Sequence, residues 1–378
     1  MIESEVYDSD HLMFREQVRK FFEREVAPFH AEWEDARVVP QALWRKAGEA
    51  GLLCTSVPEA YGGLGLDRRY AAVVMEEQAR QGFSGPGFSV HSEIATPYLV
   101  AYGSEELKQR WLPKLIRGEV IAAVGLTEPG AGSDLAGIKT TATRDGDDYV
   151  IDGQKTFITN GYNAGLVFLA VKTDPTQRAK GVSMILVETD RPGFSCGKPL
   201  NKLGNKAQDT CELFFDNVRV PVSNRLGEEG EGFTLLMKEL PWERVQIAIT
   251  AIAAAEDILE KTLAYVKQRK AFGKSLIEFQ ASRFTLAELK TNLQIGRVFV
   301  DRCLALVCDG KLDGQTAAMA KYWSTDLLHK VADDCLQLHG GYGYMMDYPV
   351  ARAFADARVT RIYGGANEIM KEIIGRSL

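Results

Sequence analysis

Apolar residues near the start of the chain recur with the period of a helix. Phe14, Val18, Phe21, Phe22 and Val26 line one stripe, and Pro28 stops it. The same reasoning predicts helices at 41–53, 68–81 and 104–117. Between about 121 and 230 the signal changes to short β-branched and aromatic runs at 149–151, 156–159, 166–171, 182–187 and 212–215. Asp145-Gly146 and Asp152-Gly153 read as hairpin turns, because both central residues of such turns need positive φ. From about 231 the helical period returns in longer elements. The first is predicted to start with Pro241 in its first turn and to run to 270, where Lys267, Arg269 and Lys270 suit the helix dipole. The next spans 281–308, with Leu286, Leu289, Leu293, Val300, Leu304 and Val307 on one stripe, and stops at Gly310. The last spans 314–339 and ends at Gly340-Gly341. The chain therefore divides into a helical domain (1–120), a β domain (121–230) and a helical bundle (231–378).

Composition narrows the function. With 378 residues, 46% hydrophobic and 25% charged, the chain can bury a large core. A net charge of -6 opposes the counterion release on which nucleic-acid binding depends. The acidic start, MIESEVYDSD, lacks the features of a signal or transit peptide, and no apolar run approaches the roughly 18 residues needed to cross a bilayer. A soluble, cytoplasmic protein of bacterial type is expected, bound to neither membrane nor nucleic acid. The six cysteines form no C-x-x-C pair and read as reduced, mostly buried thiols. The five histidines show no metal-ligand spacing, so no metal is expected.

Two stretches resemble nucleotide loops without being them. Phe272-Gly273-Lys274-Ser275 looks like the end of a Walker A loop, but Gln268 stands where its first glycine is required. Tyr61 to Gly65 is glycine-rich but has no strand before it, so it is a loop. The segment GLTEPGAGSDLAG (125–137) differs from both. It follows a strand-like run, and its glycines allow backbone N–H groups to approach a phosphate or a flavin. Together with QLHGGYGYMMDYPVARAFAD (337–356) it resembles the two signature segments of the acyl-CoA dehydrogenase family, and the α, β, α order agrees.

The resemblance covers the whole chain. It implies the fold of that family, α+β and multidomain, with an N-terminal helical domain, a β-barrel-like middle domain and a C-terminal four-helix bundle. It also implies FAD as cofactor, an acyl-CoA substrate, an electron-transferring flavoprotein as acceptor and a homotetramer built as a dimer of dimers. Leu126 and Thr127 would contact the flavin ring, and Phe157 and Thr159 would stack on and hydrogen-bond to it. Many relatives carry Trp where Phe157 stands; the indole N–H is lost but an aromatic face remains. Arg269, Phe272 and Gln280, with Gln337, Gly340 and Gly341, match positions at which a neighbouring subunit grips the dinucleotide. Read by themselves, the first three are a solvated basic helix end and one core aromatic. Asn367 and Glu368 match a further dinucleotide contact. Ala366 replaces the common threonine beside them, removing a hydroxyl hydrogen bond worth roughly 0.5–1.5 kcal/mol.

For the chemistry, one carboxylate can remove the α-proton of an acyl thioester if the developing enolate oxygen is stabilised. In IYGGANEIM (362–370), Gly364 occupies the position where many family members keep a catalytic glutamate, while Glu243 in PWER matches the site used by the long-chain and isovaleryl types. Glu243 is thus the expected base, and the Gly364 N–H the expected oxyanion donor. Ser133, Arg244 and Tyr363 are the expected substrate contacts. At the head of its predicted helix, Glu243 would have its charge favoured by the dipole and by Arg244, and disfavoured by burial under an acyl chain. The densest match, from about Glu239 to Ile374, is to the long-chain type, so medium to long acyl chains in fatty-acid β-oxidation are expected. The absent side chain at Gly364 would leave room for branching, which makes an isovaleryl-like substrate the alternative. An oxidase, or a silent flavin- or acyl-CoA-binding interaction protein, are the remaining readings.

Overall fold

The structure, a computed structural model, describes Ile2 and residues 4–378. Six α-helices come first: α1 (Ser9–Glu25), α2 (His30–Ala36), α3 (Gln41–Glu49), α4 (Arg68–Arg80), α5 (Thr96–Tyr102) and α6 (Glu105–Ile116). Local chemistry sets their starts. The Asp8 carboxylate accepts from the N–H groups of Asp10 and His11 at the head of α1, and Ser104 Oγ accepts from Leu107 N at the head of α6. A π-helical turn, Val90–Ala95, leads into α5, a geometry found mostly at functional sites.

The strands β1 (Ala122–Gly125), β2 (Thr141–Asp145), β3 (Asp148–Thr159), β4 (Leu166–Lys172), β5 (Val182–Glu188), β6 (Phe194–Cys196), β7 (Thr210–Pro221) and β8 (Arg225–Leu226) form one mixed sheet. Its order is β6-β7-β3-β2-β4-β5-β8, with β1 pairing parallel to β4. Every residue of β4 and β5 is buried. Alternation explains why. Leu166, Phe168, Met184 and Leu186 join the core shared with the N-terminal helices, while Val167, Leu169, Ile185 and Val187 pack with Tyr149, Ile151, Val218 and Val220 on the other face.

Of the two predicted hairpins, one forms: Asp145 pairs with Asp148 across the β2–β3 turn. Asp152-Gly153 instead lies inside β3, which is continuous through the two short runs expected there, and produces a bulge between Ile151 and Gly153 in the pairing with β7. Gly153 has φ +144°, and a Cβ there would meet the Thr140 side chain and backbone at 2.6–2.8 Å, so the glycine serves close packing and not chain reversal.

Three long helices follow, α7 (Gly232–Gln268), α8 (Gln280–Cys308) and α9 (Gly314–His339), and then the short α10 (Pro349–Ala357) and α11 (Asn367–Gly375). α10 packs on α9 and α7 as the fourth member of the bundle. α7 begins at Gly232, so Pro241 lies within it and not in its first turn. An interior proline costs about 3 kcal/mol through its missing N–H and its clash with the preceding turn. Burial on both sides offsets this: Leu235 and Leu236 before it, Trp242, Val245, Ile249 and Ile252 after it.

Among the described residues no helix is long and apolar enough to cross a membrane. All six cysteines are free thiols, with Cys196 and Cys308 exposed.

Ion pairs tie the N-terminal helices to the bundle. Glu76 of α4 is buried and accepts from Arg15 of α1 at 2.7 Å and from Arg297 of α8 at 2.5 Å, while Arg297 also grips both oxygens of Glu256 of α7 at 2.8 and 2.9 Å. Burial pushes the Glu76 carboxyl up, but the Arg297 and Arg15 charges outweigh it and hold it down at about 2. Arg297→Met is expected to cost about 3 kcal/mol, measured as a lower unfolding temperature at neutral pH. Because the folded pKa is depressed, the stabilisation is present above the ordinary 4.5 and disappears as pH falls toward 2. The gap between wild type and variant should therefore close over that range.

Candidate active site

Glu243 lies on α7, two residues beyond Pro241, and is only 8% exposed. Its position far inside the helix removes the dipole contribution expected for a first-turn carboxylate. Burial is the largest influence and raises its pKa to about 7, against a hydrogen bond from Tyr98; Glu239 adds to the rise and Arg244 opposes it. The Tyr98 hydroxyl, fully buried on α5, donates to Glu243 Oε1 at 2.9 Å. Arg244 is likewise buried, and its Nε has no hydrogen-bond partner among the described residues. Such a donor is costly unless a ligand completes it.

The loop carrying Tyr363, Gly364 and Gly365 closes over the next turn of α7. Gly364 has φ +63° and Gly365 φ +92°. An added Cβ at Gly364 would stand 2.3 Å from Ile247 Cδ1, so the space the missing side chain was expected to leave for a branched substrate is taken by Ile247. The loop is pinned from beneath by Lys321 of α9, a fully buried lysine whose Nζ donates to Gly365 O at 2.7 Å and to Asn367 Oδ1 at 2.9 Å. Burial, then the nearby Arg244 charge, lowers the Lys321 pKa to about 8. The side chain of Asn367 is buried in this network, also donating to Thr325 Oγ1 and Asp326 Oδ1 at 3.0 Å, and so faces inward. Glu368, one residue on in the first turn of α11, is exposed. Ala366 caps α11 without a side-chain hydrogen bond.

A second group surrounds the 125–137 segment. Thr156 N donates to Thr127 O at 2.9 Å and Lys155 Nζ donates to Leu126 O at 3.2 Å, which fixes Leu126 and Thr127 against β3. Next to them Phe157 sits in a second bulge of β3 with φ +58° and is 67% exposed. A bulky residue in the left-handed region is strained, and this one gains no burial in return. Thr159 is half-buried farther along β3, and Ser133 is exposed beyond Gly130 and Gly132, beside which space is open. This strained exposed aromatic, with tethered backbone and open glycines, fits a planar cofactor.

A third group lies at the far end of α7. Lys270–Ala271 and Lys274–Ser275 pair as a hairpin turned by Phe272 (φ +51°) and Gly273 (φ +82°). Phe272 is 96% exposed, so it is no core residue. The Arg269 guanidinium lies 5.5 Å from the centre of the Tyr342 ring, next to Gly340 and Gly341, while Gln280 and Gln337 are exposed nearby in sequence. Between Glu243 and Arg269 α7 rises about 1.5 Å per residue, which separates the two ends by roughly 39 Å. One chain therefore brings together Glu243, Arg244, Tyr363 and Gly364, but not these with Arg269 and Phe272.

Comparison with known proteins identifies the chain along its whole length. Residues 8–119, 123–218 and 230–378 match the models for the N-terminal, middle and C-terminal domains of acyl-CoA dehydrogenase. The chain belongs to the acyl-CoA dehydrogenase family. The mitochondrial long-chain specific acyl-CoA dehydrogenase of Sus scrofa is 52% identical over 375 residues, 99% of this chain and 87% of that one. The crystal structure of an acyl-CoA dehydrogenase from Geobacillus kaustophilus superposes with a TM-score of 0.98 at 49% identity over 99% of both chains. A glutaryl-CoA dehydrogenase from Mycobacterium smegmatis, in complex with FADH2, has a TM-score of 0.91 at 30% identity and covers 98% of this chain and 95% of that one.

Within this acyl-CoA dehydrogenase fold, four residues at the site escaped the sequence reading: Tyr98, Glu239, Ile247 and Lys321. The spacing of Glu239 to Glu243 and of Tyr98 to Tyr102, four residues in each case, was the available signal. Gly364→Ala is expected to destabilise the protein by about 1–3 kcal/mol, from positive φ and the Ile247 overlap. In a double-mutant cycle with Ile247→Ala, unfolding free energies should depart from additivity by at least about 0.5 kcal/mol. Additive losses would mean that the two side-chain positions do not meet.

Proposed function

We propose that this acyl-CoA dehydrogenase desaturates medium to long acyl-CoA thioesters to trans-2-enoyl-CoA in fatty-acid β-oxidation, with Glu243 as the α-proton base. The observation that carries the proposal is a buried carboxyl whose pKa of about 7 matches the task of a base near neutral pH. An acyl chain over the site would exclude further water, and the Gly364 N–H is the donor for the thioester oxygen as charge develops there. Arg244, beside the base and with its Nε unpartnered among the described residues, and Tyr363, in the loop over the next turn of α7, would hold substrate, and Ser133 would lie where the CoA portion enters.

Leu126, Thr127, Phe157 and Thr159 are the residues that would hold the flavin ring of FAD. When bound, FAD supplies the acceptor for the β-hydrogen, which leaves as hydride. The roughly 39 Å along α7 from Glu243 to Arg269 supports a shared arrangement. Arg269, Phe272, Gln280, Gln337, Gly340 and Gly341 of one subunit would grip the dinucleotide seated on another, in a homotetramer. Glu368 and the backbone of Asn367 complete that contact, and an electron-transferring flavoprotein takes the electrons onward. The long-chain preference is supported by the 52% identity to the long-chain relative, and branching is disfavoured by Ile247 beside Gly364.

Glu243→Gln should lower kcat by roughly 10²–10⁴-fold with flavin absorbance retained. Near-normal turnover by the flavin-loaded variant would reject Glu243 as the base. Across straight-chain CoA esters from C4 to C18 and isovaleryl-CoA, kcat/KM should peak at medium to long straight chains.

A further inference from the structure

Two tyrosines four residues apart on α5 face two glutamates four residues apart on α7. Tyr98 O–H donates to Glu243 Oε1 at 2.9 Å, and Tyr102 O–H donates to Glu239 Oε1 at 2.7 Å. Residues at this spacing share one helix face, so the crossing of α5 and α7 presents a matched two-by-two set. The two rings lie 6.3 Å apart. Tyr98 has no exposed surface, whereas Tyr102 and Glu239 are half-buried, so the pair at Glu243 is the sealed one.

We propose that Tyr98 and Glu239 are positioning residues that set the charge state of Glu243 from opposite sides, the phenol favouring the carboxylate and the neighbouring glutamate opposing it. This rests on the reading of Glu243 as the base and explains how that base is prepared. A phenol O–H can donate only to an oxygen that accepts, so it fixes Oε1 and favours the ionised form. No donor among the described residues reaches Oε2, which is left to take a proton. Glu239, one turn earlier on the same helix, puts a like charge beside the carboxylate, and Tyr102 holds it there.

Of the other charged groups around Glu243, Arg244 acts on it directly and favours the carboxylate, while the rest are paired elsewhere. Arg244 is its neighbour on α7, and Lys321 of α9 is spent on Gly365 O and Asn367. Glu93 of the π-helical turn pairs with Arg68, and Lys238 lies 6.0 Å from the Tyr102 ring centre. The directions of shift agree with the geometry: burial raises the Glu243 pKa most, Tyr98 lowers it and Glu239 raises it.

The test uses the flavin-loaded enzyme and two substitutions with opposite expected signs. The acidic limb of kcat/KM against pH reports the free enzyme. Tyr98→Phe removes the stabilising donor, so the limb should move up by about one pH unit. Glu239→Gln removes the repelling charge while leaving an acceptor for Tyr102, so the limb should move down. A readout independent of turnover is the infrared carbonyl band of protonated Glu243, identified by its loss in Glu243→Gln. Its titration midpoint in substrate-free protein should move in the same two directions. Unmoved midpoints, or shifts of one sign in both variants, would overturn the proposal. The band reports Glu243 whether or not it is the base, so turnover by Glu243→Gln fails the base reading alone and a static band fails only this one. Should Tyr98→Phe lose its flavin, the Glu239→Gln band decides.

Discussion

Holding one carboxyl group out of water is the constraint around which the helical parts of this protein are arranged. An ionised group in an apolar interior is costly, and Glu243 is tolerated because a phenol from α5 meets it and because its pKa has risen to about 7. The arrangement holds only while α5 stays against α7. The π-helical turn before α5 helps to set that approach, and Gln246 of α7 donates to the backbone of the same turn through Glu93 O at 3.0 Å. Farther along, α4 is bound to the bundle by the Glu76, Arg297 and Glu256 cluster. The ion pairs thus help to keep the surfaces that enclose Glu243 in register.

Strain marks the other parts of the site. Phe157, Phe272 and Gly364 all occupy the left-handed region, and the two phenylalanines are exposed as well. A fold that accepted such conformations for its own stability would bury the rings. Here the backbone distortion turns aromatic faces outward from a bulge and from a hairpin tip. Gly364 differs, since its conformation brings backbone against Ile247, one helical turn from Glu243.

Much of the architecture could be read from the chain because periodicity reports burial. The stripe from Leu286 to Leu304 became the buried face of α8, and the runs at 166–171 and 182–187 became β4 and β5. The failures share a cause: the tertiary setting overrode the local meaning of the residue. Pro241 reads as a helix start until the buried residues on either side outweigh its cost. Asp152-Gly153 reads as a turn until Thr140 is seen against the glycine. Phe272 reads as core because nothing local says that its hairpin faces outward. At the site, the resemblance of their motifs singled out Glu243 and Gly364, and the structure sets the Gly364 loop against the turn of α7 that follows Glu243. The partner of Glu243 was not, because Tyr98 is 145 residues away and only the tertiary crossing of α5 and α7 joins them.

Pro241 also has a mechanical consequence. Lacking an N–H, it leaves the carbonyl of Met237 without its helical donor, so α7 bends most cheaply just ahead of the turn that carries Glu243. The helix starts under tight constraint, since a Cβ on Gly232 would lie 2.7 Å from the Ser183 carbonyl carbon in β5. The anchor on the sheet and the missing hydrogen bond at Pro241 thus both lie before Glu243 along α7. The weakest link in the backbone hydrogen bonding of this helix therefore falls between its anchor on β5 and the buried carboxyl.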